Sequence, residues 1–208
     1  MTILICDDHK IVRDGLKQIL GQSQPGMVIT EAGSGNELMK LCEKEVFNII
    51  LLDISLPDKN GLEILQAVKN RWPATNVLML SMHPQEQYAR RALALGASGY
   101  LTKDTASEEL IVAIKRIADG QKYISQSLAE NLALHISKEE NKQEHEILSG
   151  REFDIMIKLA TGKSLVEIAK DLVISNKTVS TYRSRIMEKM NCSKNTELTK
   201  YCIEKNLI

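Results

Sequence analysis

Residues 47–53 read Phe-Asn-Ile-Ile-Leu-Leu-Asp, a nearly uninterrupted apolar run that ends in an acidic residue. Such a run is typical of a strand in a parallel sheet, because helices cover both faces of the sheet. The loop that follows, residues 56–61, reads Leu-Pro-Asp-Lys-Asn-Gly and is rich in turn formers. Beyond it, Leu62, Leu65 and Val68 recur at helical spacing. This stretch therefore predicts one strand–loop–helix unit.

The same unit recurs on either side of this stretch. Short apolar runs alternate with helical patterns five times within about 120 residues, which implies parallel pairing through right-handed crossovers. The runs occupy residues 2–6, 28–30, 47–52, 77–80 and 98–101. The predicted fold class is α/β, with a doubly wound five-stranded parallel sheet.

Polar side chains stand at the ends of four of these strands. They are Asp7, Asp8, Asp53, Ser81 and Lys103. Because the carboxyl ends of the strands meet at one edge of an open sheet, these five groups are expected to converge. Three carboxylates that lie close together repel one another and need a divalent cation. The sequence therefore predicts a metal-dependent phosphate site.

Composition narrows the possible classes of protein. No apolar run approaches the roughly 20 residues that cross a bilayer, and residues 1–8 have no basic region typical of a signal peptide. Neither secretion nor membrane insertion is expected, and the predicted location is the cytoplasm. The four cysteines form no Cys-x-x-Cys pair, so buried reduced thiols are predicted rather than zinc ligands.

The net charge of zero conceals an asymmetry between the two parts of the chain. Residues 1–146 hold 16 basic and 20 acidic side chains, whereas residues 147–208 hold 11 basic and 7 acidic ones. We predict an N-terminal domain over 1–120, a partly helical linker over 121–146 and a basic domain over 147–208. A small basic domain is a candidate for binding nucleic acid.

The basic domain has a helical pattern throughout. Capping boxes at Ser149–Glu152 and Ser164–Glu167 open its first two helices. A short turn at residues 173–176 leads to a longer helix, and a final helix begins at Ser193 or Asn195. A short helix, a tight turn and a longer basic helix predict a helix-turn-helix within a four-helix domain.

These motifs together resemble a response regulator of the NarL/FixJ family, with a flavodoxin-like receiver domain and a LuxR-type helix-turn-helix. The matching receiver segments are 6–9 (Cys-Asp-Asp-His), 51–57 (Leu-Leu-Asp-Ile-Ser-Leu-Pro), 80–81 (Leu-Ser) and 96–103 (Gly-Ala-Ser-Gly-Tyr-Leu-Thr-Lys). The matching C-terminal segments are 148–152 (Leu-Ser-Gly-Arg-Glu), 167–169 (Glu-Ile-Ala) and 174–179 (Ile-Ser-Asn-Lys-Thr-Val).

The resemblance implies that Asp53 accepts a phosphoryl group from a sensor histidine kinase. The implied Mg²⁺ ligands are Asp7, Asp8, Asp53 and the backbone carbonyl of Ser55. Lys103 would contact the phosphoryl group, Ser81 would donate a hydrogen bond to it, and Tyr100 would rotate into the space that Ser81 vacates. Ser55 and His83, each two residues beyond a site residue, are expected to tune the lifetime of the phosphoryl group.

The resemblance also implies binding to double-stranded promoter DNA through a recognition helix over residues 176–190. Residues expected to contact phosphate or sugar are Lys177, Thr178, Arg183 and Arg185, while Ser180, Thr181 and Ser184 would face the bases. Lys163 and Ser164 would touch the flanking backbone. The final helix would form a homodimer after phosphorylation, through Leu198, Tyr201 and Cys202.

Two other classes of function remain open from the sequence. A phosphohydrolase of the haloacid-dehalogenase type also uses an Asp nucleophile and Mg²⁺, but its second acid is absent here, since Ser55 stands two residues after Asp53. An adaptor whose helical C-terminal domain binds protein rather than DNA is the second alternative.

Overall fold

The computed structural model describes residues 1–23, 26–82, 86–126, 128–130, 144–205 and 207–208. The chain forms two compact units, Met1–Lys138 and Glu139–Ile208. No helix in the described part of the chain combines the length and apolar character that crossing a bilayer requires. All four cysteines are free thiols, and Cys192 alone among them is not buried.

The first unit contains a parallel sheet with the strand order β2-β1-β3-β4-β5-β6. Its strands are β1 (Thr2–Cys6), β2 (Val28–Ala32), β3 (Ile49–Asp53), β4 (Asn76–Ser81), β5 (Gly99–Thr102) and β6 (Tyr123–Ile124). The first five follow the flavodoxin-like order, in which the chain reverses direction across the sheet between β1 and β3.

The prediction of five strands was wrong by one, because β6 lies within the predicted linker. This strand has two residues and pairs in parallel with Gly99 and Tyr100 of β5. Tyr123 is buried there and donates a hydrogen bond from its hydroxyl to Glu109 Oε2 at 2.9 Å. A strand of two residues is too short to produce the apolar run from which strands are recognised.

Helices cover both faces of the sheet. They are α1 (Lys10–Ser23), α2 (Gly35–Cys42), α3 (Gly61–Arg71), α4 (Glu86–Ala94) and α5 (Ala106–Ala118). Helices α1 and α5 pack with the odd-numbered residues of β1 and β3, as in the cluster around Ile5, Leu20, Leu51 and Leu110. Leu4 and Leu52 point to the opposite face and are equally buried, which explains the continuous apolar runs.

The second unit has four α-helices among its described residues. A 3₁₀ turn at Glu144–Ile147 precedes α6 (Gly150–Ala160), α7 (Leu165–Asp171), α8 (Asn176–Lys189) and α9 (Asn195–Glu204). Both predicted capping boxes are present, at Ser149 with Glu152 and at Ser164 with Glu167. The unit therefore has the predicted pair of helices joined by a short turn, α7 and α8.

Gly61 allows the loop after β3 to pass directly over the end of that strand. A Cβ atom added at Gly61 would lie 2.3 Å from the Asp53 carbonyl oxygen and 2.7 Å from Ile54 Cα. Because both atoms belong to the backbone, neither can move aside easily. No larger residue fits here without displacing the strand end that carries Asp53.

We expect Gly61→Ala to lower the free energy of unfolding by about 1–3 kcal/mol, through overpacking against the backbone. Urea unfolding followed by circular dichroism measures the loss. Gly15→Ala is the matched control, since Gly15 lies inside α1 with nothing within 4 Å of an added Cβ. The control is expected to gain up to about 1 kcal/mol. Equal stability of the two variants would contradict this account.

Candidate functional site

The carboxylates predicted to converge do so at the ends of two neighbouring strands. β1 ends at Cys6, which pairs with Leu52, so Asp7 and Asp53 stand side by side. One ligand atom from each of Asp7, Asp8, His9 and Asp53 lies within 4.8 Å of the others. The parallel register of β1 and β3 therefore builds this cluster.

Lys103 neutralises the buried part of the cluster. Its Nζ atom lies 2.6 Å from Asp7 Oδ2 and 2.8 Å from Asp53 Oδ2, and all three side chains are at most 8% exposed. Burial opposes the charge on Lys103, but Asp53 and Asp7 more than offset this effect and raise its pKa. Lys103 is therefore a fixed positive charge beside Asp53.

The Asp53 carboxyl group lies in an environment that disfavours its own charge. Burial is the main cause that raises its pKa, Lys103 opposes this shift, and the charge on Asp7 adds to it. Asp53 Oδ1 is buried and has no completed hydrogen bond among the residues that the structure describes, although the nearby Ser55 backbone amide acts to lower the pKa of Asp53. A buried carboxylate oxygen without a completed hydrogen bond fits a cation ligand, so this acidic set suits a hard divalent ion such as Mg²⁺.

The two remaining predicted ligands lie at the rim. Asp8 is about one-third exposed, and its Oδ1 atom contacts His9 Nδ1 at 2.9 Å. Ser55 is exposed in the loop after β3, where it forms an isolated antiparallel bridge with Asn60. The Ser55 carbonyl as a metal ligand stays a prediction.

Ser81 and Tyr100 form a buried pair next to the carboxylates. Ser81 ends β4 and is 3% exposed, and Tyr100 on β5 is 1% exposed. Burial raises the pKa of Tyr100 to about 12, while a hydrogen bond with the Ser81 side chain acts in the opposite direction. Tyr100 is thus already packed inside the unit in contact with Ser81. His83 lies outside the described residues.

Arg13 supports Asp7 in a way that the sequence did not suggest. Its Nη1 atom donates to the Asp7 backbone carbonyl at 2.7 Å, and its Nε atom donates to Glu31 Oε2 at 3.0 Å. Glu31 in turn pairs with Lys17 of α1 at 2.5 Å. This network fixes the backbone of Asp7 between α1 and β2.

Asp58 links its loop to the start of α2, a role that the turn-rich sequence of the loop does not indicate. Its Oδ1 and Oδ2 atoms accept hydrogen bonds from the amides of Gly35 and Asn36, at 2.9 and 2.8 Å. The Cys6 thiol donates to the carbonyl of Ser34, the residue just before them. The start of α2 therefore ties the loop after Asp53 to the end of β1.

The predicted DNA-contacting residues lie mostly on one exposed helix of the second unit. Ser175 caps α8 by accepting the Thr178 amide at 3.1 Å. The exposed predicted contacts on α8 are Lys177, Ser180, Thr181, Ser184 and Arg185, while Thr178 and Arg183 are half-buried. Tyr182, which sequence reasoning missed, shares a surface concavity with Lys177 and Arg185.

Several of the predicted contacts also make bonds within the unit. Arg183 Nε donates to Asn195 Oδ1 at 2.9 Å, which links α8 to the start of α9. Lys163 pairs with Asp171 at 2.5 Å, and this hydrogen bond is the main cause that lowers the pKa of Asp171. Ser164 is the N-cap of α7.

The predicted dimer surface requires a correction. Leu198 and Cys202 are fully buried in the core of the second unit, so neither can present its side chain to a partner. Tyr201 is half-buried, and its hydroxyl lies 2.9 Å from Nδ1 of the buried His145. Periodic apolar residues on a helix mark a buried stripe, and here the stripe faces the unit's own core. On the opposite side of α9, Ile203 is 59% exposed.

Family comparisons identify both units. The family described as "Response regulator receiver domain" matches residues 3–115, and "Bacterial regulatory proteins, luxR family" matches residues 146–202. The chain therefore belongs to the NarL/FixJ family of two-component response regulators, which places it among transcription regulators.

Individual relatives extend over the whole chain. The response regulator UvrY of Escherichia coli (strain K12) is 33% identical over 208 residues, covering 100% of this chain and 95% of that protein. The response regulator GacA of Pseudomonas aeruginosa is 30% identical over 209 residues, covering 100% and 98%. A solved structure of two RcsB dimers bound to two parallel DNAs gives a TM-score of 0.63 at 26% identity, with 97% of each chain covered.

Proposed function

We propose that Asp53 accepts a phosphoryl group from the phosphohistidine of a sensor histidine kinase, and that this event controls dimerisation and promoter binding in the cytoplasm. The observation that carries the proposal is the buried Asp53 carboxylate, which has Asp7 beside it, Lys103 at 2.8 Å and one oxygen without a completed hydrogen bond among the described residues. The family match favours this function over the phosphohydrolase and the adaptor.

The chemistry requires a negatively charged nucleophile to attack a negatively charged phosphoryl group. Mg²⁺, held by Asp7, Asp8, Asp53 and the Ser55 carbonyl, would offset the repulsion between the carboxylate and the phosphoryl oxygens. Lys103 supplies a second positive charge that is already in place before the phosphoryl group arrives. Lys103 pairs with Asp7 as well as with Asp53, and the choice of Asp53 as the nucleophile comes from the family resemblance.

Ser81 and Tyr100 connect this chemistry to the packing of the domain. A Ser81 hydroxyl that donates its hydrogen bond to a phosphoryl oxygen can no longer donate to Tyr100, so the bond between these two side chains would have to break or reverse. Because Tyr100 is buried, its surroundings would have to repack. This coupling is a route from the phosphorylated site to the rest of the unit.

The proposed binding to DNA depends on helix α8. Its exposed side presents Lys177, Arg185 and small polar side chains together, as a helix entering the major groove requires. The small size of Ser180, Thr181 and Ser184 favours few or water-mediated contacts to bases. We propose that two copies of the chain contact each other through the exposed side of α9, which carries Ile203 and Lys200. The resulting dimer would bind two paired half-sites on the DNA.

We expect Lys177→Ala to weaken DNA binding about equally for all sequences, and to lower the slope of log affinity against log salt by about 1. The reason is the loss of one phosphate contact, with its released counterion. Fluorescence anisotropy at several salt concentrations measures both quantities. Lys122→Ala, an exposed lysine of the first unit, is the control. An unchanged slope would remove Lys177 from the contacts.

A genome-wide DNA pull-down with the full-length protein tests the function as a whole. Recovery of a defined set of promoters is expected to rise when beryllofluoride, a mimic of the phosphoryl group, is added with Mg²⁺. Equal recovery without it would reject control by phosphorylation. Failure to recover DNA under either condition would favour the adaptor.

A further inference from the structure

His9 lies at the edge of the acidic cluster in an unusual position for a surface histidine. Its Nδ1 atom lies 2.9 Å from Asp8 Oδ1 and 3.3 Å from Asp7 Oδ1. One of its ligand atoms is also within 4.8 Å of a carboxylate oxygen of Asp53. The ring thus contributes a nitrogen to a set of groups that otherwise offers only oxygen.

The backbone holds His9 in this position. Its amide donates to Asp7 Oδ1 at 2.8 Å, and its carbonyl accepts the amides of Val12 and Arg13 at 3.1 and 3.2 Å. These bonds fix the residue just before α1, which begins at Lys10. The ring is 65% exposed, so its other nitrogen is open to water.

The contacts of Nδ1 suggest what can replace its proton. Ionised carboxylates only accept hydrogen bonds, so Nδ1 must carry a hydrogen to bond with Asp8 in the absence of a cation. If that hydrogen moves to Nε2, the Nδ1 lone pair points at the same carboxylate oxygens. A divalent cation that lies beside this nitrogen–oxygen pair can then bind both atoms after a small rotation of the ring.

We propose that His9 is a metal ligand that widens the preference of the site from Mg²⁺ to first-row transition-metal dications. Mg²⁺ favours oxygen ligands and retains water, whereas imidazole suits later transition metals, which bind mixed sites more tightly along the Irving–Williams order. The buried Asp53 Oδ1 atom has no completed hydrogen bond among the described residues, so this oxygen is available to the same cation. The inference rests on the metal site proposed above.

Metal binding to the full-length protein tests this assignment without reference to phosphorylation. Isothermal titration calorimetry with Mg²⁺ and with Co²⁺ gives one dissociation constant for each metal in each variant. His9→Gln is expected to weaken Co²⁺ binding by about tenfold or more, by analogy with the loss of groups that support metal ligands. Mg²⁺ binding should change by less than about threefold, because Mg²⁺ can replace the ring with water. Lys10→Gln, the next and also exposed residue, should change neither constant.

A spectroscopic measurement reports the ligand directly. Pulsed electron paramagnetic resonance of the Mn²⁺-loaded protein should show coupling to a directly bound ¹⁴N nucleus, and this coupling should be absent from His9→Gln. A wild-type spectrum without ¹⁴N coupling, or an equal ratio of Co²⁺ to Mg²⁺ affinity in the two proteins, would overturn the assignment.

Asp7→Asn separates this inference from the proposed function. If it weakens binding of both metals while His9→Gln leaves their ratio unchanged, the metal site stands and only the role of His9 fails. If the wild-type protein binds neither metal, or Asp7→Asn changes neither constant, the proposed metal site fails together with the inference.

Discussion

Asp53→Asn is expected to reduce phosphoryl incorporation from acetyl phosphate by at least about 1000-fold, to below detection, since the variant lacks the nucleophile. An amide of nearly the same shape has neither the charge nor the nucleophilic oxygen of a carboxylate. The pKa of Asp53 is raised, chiefly by burial, so its charge costs free energy in the folded state. Removal of that charge is therefore not expected to unfold the receiver, and intact-protein mass spectrometry measures the loss of labelling.

Asp104→Asn provides the matched control for this experiment. Asp104 follows Lys103 directly, and it is exposed. Its substitution should leave labelling unchanged, because it removes a nearby carboxylate without touching the buried cluster. If Asp53→Asn is labelled as strongly as the wild type, the phosphoryl group must attach elsewhere, and Asp7 and Asp8 become the first candidates.

The parts of the fold that the sequence predicted share a physical cause. A strand buried on both faces, such as β3, requires a continuous apolar run, and parallel strands bring their ends to one edge. Those two facts suffice to bring Asp7 and Asp53 together. A capping box is equally local, since Ser149 and Glu152 need only three residues of separation.

The features that sequence reasoning missed depend on contacts between distant segments. Asp58 binds amides 22 and 23 residues away, and nothing in the loop itself identifies that partner. The two-residue strand β6 can be identified only from its pairing with β5. Leu198 and Cys202 show a further difficulty, because an apolar stripe on a helix looks the same whether it faces the core or a partner.

Lys103 balances the buried charges of Asp7 and Asp53. Lys103→Met keeps most of the side-chain volume but leaves Asp7 and Asp53 buried without their cation. Removing one partner of a buried ion pair typically costs about 3–5 kcal/mol, so we expect a loss of this size in the free energy of unfolding near pH 7. Urea unfolding measures it. Lys59→Met, an exposed lysine on the loop after β3, should change stability by less than about 0.5 kcal/mol.

The sign of the pH dependence distinguishes charge from packing in this variant. Without Lys103, the pKa of Asp53 should rise further above the unfolded value of about 3.9, since a cause that lowers it is gone. Between the unfolded and folded pKa values, the folded state then binds more protons than the unfolded state, so stability falls as pH rises. The loss in Lys103→Met should therefore be small near pH 4 and reach its full size once pH exceeds the folded pKa. Mg²⁺ should stabilise the variant, because it binds the two carboxylates that have lost their positively charged partner. A loss of equal size at every pH would show that Lys103 acts through its packing rather than its charge.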